Sequence, residues 1–297
     1  MELRHLRYFI AVAEEGSLTL AAEKRLHTAQ PSLSRQIRDL ETEVGVPLLT
    51  RKARGVDVTA AGRVFLDHAR LVLLQLEAAG EAARRATQPP RASFVLGILT
   101  GHEVTWLPEA LRILRDELPQ LEVTITSQSS PELAGALLRG KVDVALLRRE
   151  QAPGLAFKLL TREPLVVVMA RNHRLTARPT VRPRELAGAA FIDPTRAAPT
   201  LKVVIDDYVA ASGIALPAAH EAENLSMAIS LVASTGGVTL LPVYAEKLLP
   251  PSVVSRRLHG LVPTIDLVVG YSKANTSPVL KRFLSRVDEL VARVSRS

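Results

Sequence analysis

Apolar and polar positions along this chain repeat with two different periods, and the change from one to the other near residue 90 is the first architectural feature it offers. Before that point the apolar residues fall into helical stripes. Leu3, Leu6, Ile10 and Ala13 predict a first helix ending near Gly16, a favourable residue just past a helix end. Leu18, Ala22 and Leu26 share one face of a second helix, and Leu33, Ile37, Leu40 and Val44 share one face of a third. Thr59 is a good cap for a long helix to about Thr87, where Pro89 and Pro90 stop it. Within it Phe65, Ala69, Val72, Leu76, Ala79 and Ala83 alternate spacings of four and three, the signature of a heptad seam. A helix of about 40 Å is too long for a small module to cover, so a dimerising linker is preferred over packing on its own domain.

From residue 91 onward, strand-like runs alternate with helical ones: Phe94–Leu99, Thr105–Glu117, Leu121–Ser127, Pro131–Arg139, Val142–Leu147 and Leu165–Ala170. The order βαβαβ predicts a parallel sheet covered by helices. Further helices are expected at Thr200–Ala211, Leu225–Ala233 and Val279–Val294, and further strands at Val238–Leu241 and Ile265–Tyr271.

Charge changes the reading of the third helix. Pro31 suits its first turn, where a missing N–H costs nothing. Its outward face is expected to carry Gln30, Ser32, Ser34, Arg35, Gln36 and Arg38, side chains able to reach phosphates and base edges from the major groove. From Lys24 to Arg38 the chain has Lys24, Arg25, Arg35 and Arg38 and no acid. Thr50-Arg51-Lys52-Ala53-Arg54-Gly55 then forms a basic, glycine-tipped loop, so the whole reads as a winged helix-turn-helix. The rival is an ordinary helical hairpin with a solvated polar face. Net charge does not decide between them: the chain carries +8, yet residues 1–58 hold nine Lys+Arg against eight Asp+Glu. Placement of the charges carries the argument.

The stretches MELRHLRYFIAVAEEGSLTLAAE, QPSLSRQIRDLE and VGVPLLTRKARGVDVTAAG strongly resemble the N-terminal domain of LysR-type transcriptional regulators, and the opening MELRHLRYF looks most like the branch that senses aromatic acids and their catabolites. One departure stands out. Ala22 and Leu26 enclose three residues, Glu23, Lys24 and Arg25, where the family usually has two, and a locally adjusted helix end is expected. The resemblance implies a multidomain protein: an all-α winged helix-turn-helix DNA-binding domain (1–58), a long linker helix (59–88), and a two-lobed α/β effector domain of periplasmic-binding-protein type (91–297). Lobe one is expected to hold about 91–162 and 267–297, and lobe two about 163–266. It also implies tetramers built as a dimer of dimers, double-stranded DNA and a small effector as partners, and RNA polymerase as a further partner.

Ligands of open α/β sheets bind beyond the carboxyl ends of strands, near helix N-termini. Thr100-Gly101-His102, Ser129 with Ser130, and Arg148 meet that description and suit a carboxylate. The resemblance adds a crossover segment with Phe191, Asp193 and Thr195, matches Arg148 to an arginine of the aromatic-acid branch, and offers Asn224 as a weaker candidate. The rival readings are that the hydroxyls are only helix caps and that Arg148 pairs with a carboxylate. Arg51 and Arg54 are expected at phosphates.

Catalysis is not expected. The seven histidines are scattered, there is no cysteine, and no GxSxG, P-loop or GxGxxG is found. No metal or cofactor is expected. A stand-alone solute-binding protein would explain residues 91–297 but leaves residues 1–87 without a purpose. The absence of a leader pattern and of a long uncharged apolar run points to a cytoplasmic protein with no membrane partner.

Overall fold

The computed structural model describes the chain except residues 53, 54, 87–92, 197 and 297, together with the side chains of 51, 82, 85, 86 and 117. It divides into two compact units, Met1–Thr87 and Gln88–Ser297.

In the first unit α1 (Leu3–Glu15) stops at Gly16, whose φ of 59° lets its N–H reach Val12 O at 3.0 Å. Its buried face is Leu6, Phe9, Ala11 and Val12, with Leu3 exposed. That corrects the expected Leu3/Ile10/Ala13 stripe. Phe9 meets Phe65 edge to face (centroids 5.3 Å, 75°), and the large ring contact sets the rotation of the helix. Next comes α2 (Leu18–Leu20), capped by Ser17 Oγ, which accepts from Leu20 N at 3.3 Å. It continues as a π-helical turn, Ala21–Leu26. The third residue between Ala22 and Leu26 is accommodated there: the ladder widens, His27 takes the left-handed conformation at φ 47°, and Thr28 N closes on Ala22 O at 3.1 Å. Ala22 stays fully buried, and Leu18 and Leu26 pack on the same core.

The following helix, α3 (Gln30–Val44), opens on Ala29 and Pro31, ends at Gly45 (φ 82°), and buries Leu33, Ile37 and Leu40. Strands β1 (Leu49–Lys52) and β2 (Gly55–Val58) pair antiparallel with Leu49 opposite Val58. Gly55 is required at its position: φ is 113°, and a Cβ there would lie 2.4 Å from Gly16 O, which accepts Val56 N at 2.9 Å. Thr59 caps α4 (Ala60–Ala86) through Oγ1, which accepts Gly62 N at 2.9 Å. Phe65 and Ala69 of the expected seam turn into this unit's own core, whereas Val72, Leu76, Ala79 and Ala83 are exposed.

The second unit is built on β3 (Ser93–Leu99), α5 (Glu103–Glu117), β4 (Glu122–Gln128), α6 (Ser130–Leu138), β5 (Val144–Arg148) and β6 (Leu155–Ala170). It continues through β7 (Thr180–Val181), α7 (Pro183–Leu186), β8 (Phe191–Asp193), α8 (Pro199–Ala211), β9 (Ala218–Glu221), α9 (Leu225–Thr235) and β10 (Val238–Pro242). Last come β11 (Val253–Leu258), β12 (Thr264–Ser272), α10 (Pro278–Ser285) and α11 (Val287–Val294). The sheet path is β4-β3-β5-β12-β6-β10-β8-β9, with β11 and β7 branching from β6. The expected parallel arrangement holds for β4-β3-β5, while β12 and β6 run antiparallel to their neighbours, so the sheet is mixed.

The long strand β6 joins two groups of strands. Leu155–Pro164 pair with β12, and Leu165–Ala170 lie between β10 and β11. In that second half alternation serves two cores at once. Leu165, Val167 and Met169 meet Leu201 and Ile205 of α8, and Val166 and Val168 meet Ala228, Ile229 and Val232 of α9. A third core packs β3, β5 and β12 against α5, α10 and α11. The expected helix Val279–Val294 is broken at Arg286 into α10 and α11. Phe191–Asp193, expected in a crossover, is an interior strand: the crossings are made by β6 near Pro164 and by the chain entering β12.

Candidate nucleic-acid interface and effector cavity

The exposed face of α3 is narrower than its sequence pattern suggests. Pro31, Ser32, Arg35 and Arg38 are exposed and Gln30 is half-buried. Ser34 is 7% exposed and lies among Leu18, Ile37 and Val56, so it belongs to the packed side of the helix, a correction to the expected outward set. Gln36 turns toward α1. Glu2 N donates to His5 Nδ1 (3.2 Å), which leaves His5 Nε2–H to donate to Gln36 Oε1 (3.0 Å). Arg38 Nε donates to Ser34 O at 3.3 Å, which sets the base of its side chain and leaves both terminal nitrogens able to donate outward.

The acid-free run is not acid-free in space. Arg25 Nη1 donates to Glu14 Oε2 at 2.5 Å, and Arg70 Nη2 donates to Glu14 Oε1 at 2.6 Å. Burial pushes the Glu14 carboxyl up, and the two guanidiniums more than offset this and hold it below its ordinary range. Arg25 therefore ties the π turn to α1. In the wing Lys52 pairs with Asp57 across the strands. The backbone of Arg51 lies in β1; its side chain and the whole of Arg54 lie outside the described residues.

In the second unit a cavity of about 520 Å³ opens where β3, β4 and β5 end. Thr100, Ser129, Ser130, Arg148 and Asn224 all line it. Thr100 Oγ1 is 3.1 Å from Ser127 Oγ, Ser129 closes a capping box with Glu132 at the start of α6, and Asn224 Oδ1 accepts Met227 N at 2.9 Å to cap α9. The N-termini of α6, α8 and α9 thus border the cavity, which favours an anion there.

Arg148, 6% exposed, anchors the wall. Its backbone N–H donates to Ser130 Oγ (2.9 Å) and its Nη2 to Glu163 Oε2 (2.6 Å). Nη1 has no partner. The guanidinium carbon lies 5.6 Å from the centre of the Tyr244 ring. Behind it, His102 Nε2 sits 3.2 Å from Glu163 Oε1 and its ring stacks on Tyr244 at 3.8 Å between centroids. Burial pushes the His102 imidazole down, so the ring is neutral and donates through Nε2. Burial also drives the Glu163 carboxyl up, yet the His102 hydrogen bond and the Arg148 charge together hold it below its ordinary range. The Tyr244 phenol is pushed up to about 12 by burial and stays neutral.

Gly101 and His102 therefore stand behind the wall and not on it. Phe191 is buried in the core under α8, and Asp193 and Thr195 bond to one another (Thr195 N to Asp193 Oδ1, 2.9 Å), so none of these three lines the cavity; Pro194 does. The wall residues Tyr244, Glu150, Thr200 and Pro242 carry no motif in sequence. Glu163 had one signal: it is an acid just before an otherwise apolar strand half, and a buried Arg148 needs such a partner.

Residues 3–63 match the family described as "Bacterial regulatory helix-turn-helix protein, lysR family", and residues 87–292 match "LysR substrate binding domain". The chain is 38% identical to the Hca operon transcriptional activator HcaR of Escherichia coli (strain K12), over 99% of this chain and 100% of that one. It is 34% identical to the HTH-type transcriptional regulator CatR of Pseudomonas putida, over 97% and 98%. Among solved structures, full-length CbnR complexed with its target DNA is 28% identical with a TM-score of 0.57, covering 98% of this chain and 100% of that one. Full-length BenM is 26% identical with a TM-score of 0.61, covering 99% and 98%. These relatives are regulators, so the chain is not an enzyme, and with residues 3–63 accounted for, a stand-alone solute-binding protein is not favoured. The chain belongs to the LysR family of DNA-binding transcriptional regulators, the winged helix-turn-helix being its DNA-binding part and the α/β unit its effector-binding part.

Proposed function

We propose that this cytoplasmic regulator reads the two half-sites of an interrupted palindrome as a dimer, pairs further into a tetramer, and responds to a small aromatic or aromatic-derived carboxylate held between two lobes. Domain limits of 1–58, 59–88 and 91–297, with the lobes meeting near residues 163 and 266, serve this reading. The exposed row Val72, Leu76, Ala79 and Ala83 on α4 supports the dimer, since an apolar row at heptad spacing needs a partner helix. Gln30, Ser32 and Arg35 are proposed as readers at the start of α3, with Arg38, Arg51 and Arg54 at phosphates; Gln36, turned toward α1, is left out of the set. The effector changes the relative angle of the lobes, and the linker helices pass this to the bent DNA and so to RNA polymerase; it must bind one arrangement better to do so.

The observation that carries the effector reading is the guanidinium-bearing Arg148, a buried cationic residue on the wall of a cavity bordered by helix N-termini. A carboxylate in that cavity meets a fixed positive charge and helix N–H groups. Calorimetric titration of benzoate into the wild type, Arg148→Lys and Thr100→Ala tests it. Lysine keeps a charge beside Glu163 but loses the planar fork, and about tenfold weaker binding is expected. Unchanged affinity in both variants overturns the assignment.

A further inference from the structure

We infer that Glu150 selects among carboxylate effectors, favouring those that carry a hydroxyl or amino group meta to the carboxylate on one ring and rejecting dicarboxylates. This rests on the cavity being the effector site.

Three carboxylates line the cavity: Glu132, Glu150 and Glu223. Two are already committed. Glu132 Oε2 accepts from Ser129 N (2.9 Å) and Ser129 Oγ (2.6 Å) and so closes the first turn of α6. Glu223 is exposed and pairs with Arg196 at 3.4 Å. Glu150 differs from both. It is half-buried, and among the described residues its carboxylate has no ion-pair partner. Its side-chain hydrogen bond comes from Thr200 Oγ1 at 3.2 Å, and that hydroxyl divides its single proton between Glu150 Oε1 and Arg149 O, also at 3.2 Å. Burial pushes the Glu150 carboxyl above its ordinary range, the mark of a charge with too few donors around it. A carboxylate offers about four acceptor sites, so most of this one's capacity is open.

Position turns that capacity into selectivity. Glu150 follows Arg148 by two residues, so their Cα atoms are no more than about 7 Å apart, and a single small ring can touch both. Arg148 brings a positive charge to the wall and Glu150 brings unspent acceptors. A molecule with a carboxylate for the first and an O–H or N–H for the second satisfies both. One with two carboxylates sets its second charge against Glu150 in a partly desolvated space, where like charges repel more strongly than in water.

The test is calorimetric titration of the full-length protein with benzoate, 3-hydroxybenzoate, 3-aminobenzoate and isophthalate. The wild type should bind the hydroxyl and amino compounds about tenfold more tightly than isophthalate. Glu150→Gln, which keeps the shape and removes the charge, should bring that ratio to within about threefold of one. Glu150→Asp, which keeps the charge and withdraws it, should weaken the hydroxyl and amino compounds while still rejecting isophthalate. An unchanged ratio in Glu150→Gln, or full acceptance of isophthalate by the wild type, overturns the selectivity. Failure of the wild type to bind any of the four at millimolar concentration overturns instead the carboxylate reading on which it rests.

Discussion

In the DNA-binding unit the proposed contacts with DNA come from two short neighbouring stretches, Gln30–Arg38 and the wing, whereas the cavity wall of the α/β unit draws on residues from Leu99 to Ile265. The first is held in place mainly by backbone approaches: Gly16 against Gly55, Gly62 against Leu48 O, and a π turn that keeps Ala22 inside. The second is held by buried polar side chains that bond to one another, Arg148 to Glu163 and His102 to Glu163. A site made from one helix face needs only its helix in the right place. A site made from many strand and helix ends needs each of those ends in the right place.

The sharpest way to separate the two is to break the backbone approach. A Cβ on Gly62 would lie 2.0 Å from Leu48 O, backbone that cannot rotate away. Gly62→Ala should therefore destabilise the first unit by about 3 kcal/mol, as overpacking does, and abolish operator binding in a mobility-shift assay. Benzoate binding by the second unit should survive. Loss of both activities together would show that the units do not fold independently.

How much of each was legible follows from the same difference. Leu33, Ile37 and Leu40 repeat at helical spacing, so α3 and its partners could be read directly from the chain. Ser34 and Gln36 could not, because a period of 3.6 residues places their Cβ atoms at the edge of the polar face, and only the neighbours, Leu18 and His5, decide which way they point. Strand ends at Thr100, Ser129 and Arg148 were legible from the βαβ order. Tyr244, Glu150 and Thr200 were not, since nothing local marks a residue that matters only through what another segment brings to it. Reading Phe191–Asp193 as a crossover failed because three residues, two buried and one half-buried, make equally good strand or connection.

Next in expected size is the contrast within α3. Arg35→Ala removes an exposed arginine and should cost about 1–3 kcal/mol of operator affinity if it reads a base edge. Ser34→Ala changes a buried residue and should shift operator affinity by less than about 0.5 kcal/mol. Equal effects from the two, measured by fluorescence anisotropy at fixed salt, would reverse the assignment of faces.

The second unit should respond to pH through His102. His102 is buried and its imidazole is pushed below the ordinary value of 6.5, so the folded state holds it neutral. As pH falls below 6.5 the unfolded chain takes up this proton and the folded chain does not, so stability is full above that pH and declines beneath it. The loss is at most about 1.4 kcal/mol per pH unit. Thermal unfolding of the wild type between about pH 7.5 and 5.5 should show it, and His102→Gln, neutral throughout, should show less. An equal loss in both would remove His102 as its source.

The smallest effect concerns the π turn. His27 is the one non-glycine residue with positive φ among those described, at 47°, and it closes the turn that accommodates the third residue between Ala22 and Leu26. A side chain in that conformation costs about 1–2 kcal/mol. Glycine removes the cost and loses about 0.5–1 kcal/mol to the greater freedom of the unfolded chain. His27→Gly should therefore stabilise the first unit by about 0.5 kcal/mol net, read by chemical denaturation, with operator affinity unchanged because His27 lies outside the proposed contact set. A drop in operator affinity without a drop in stability would mean that His27 itself reaches the DNA, and the interface would then extend from α3 into the turn that precedes it.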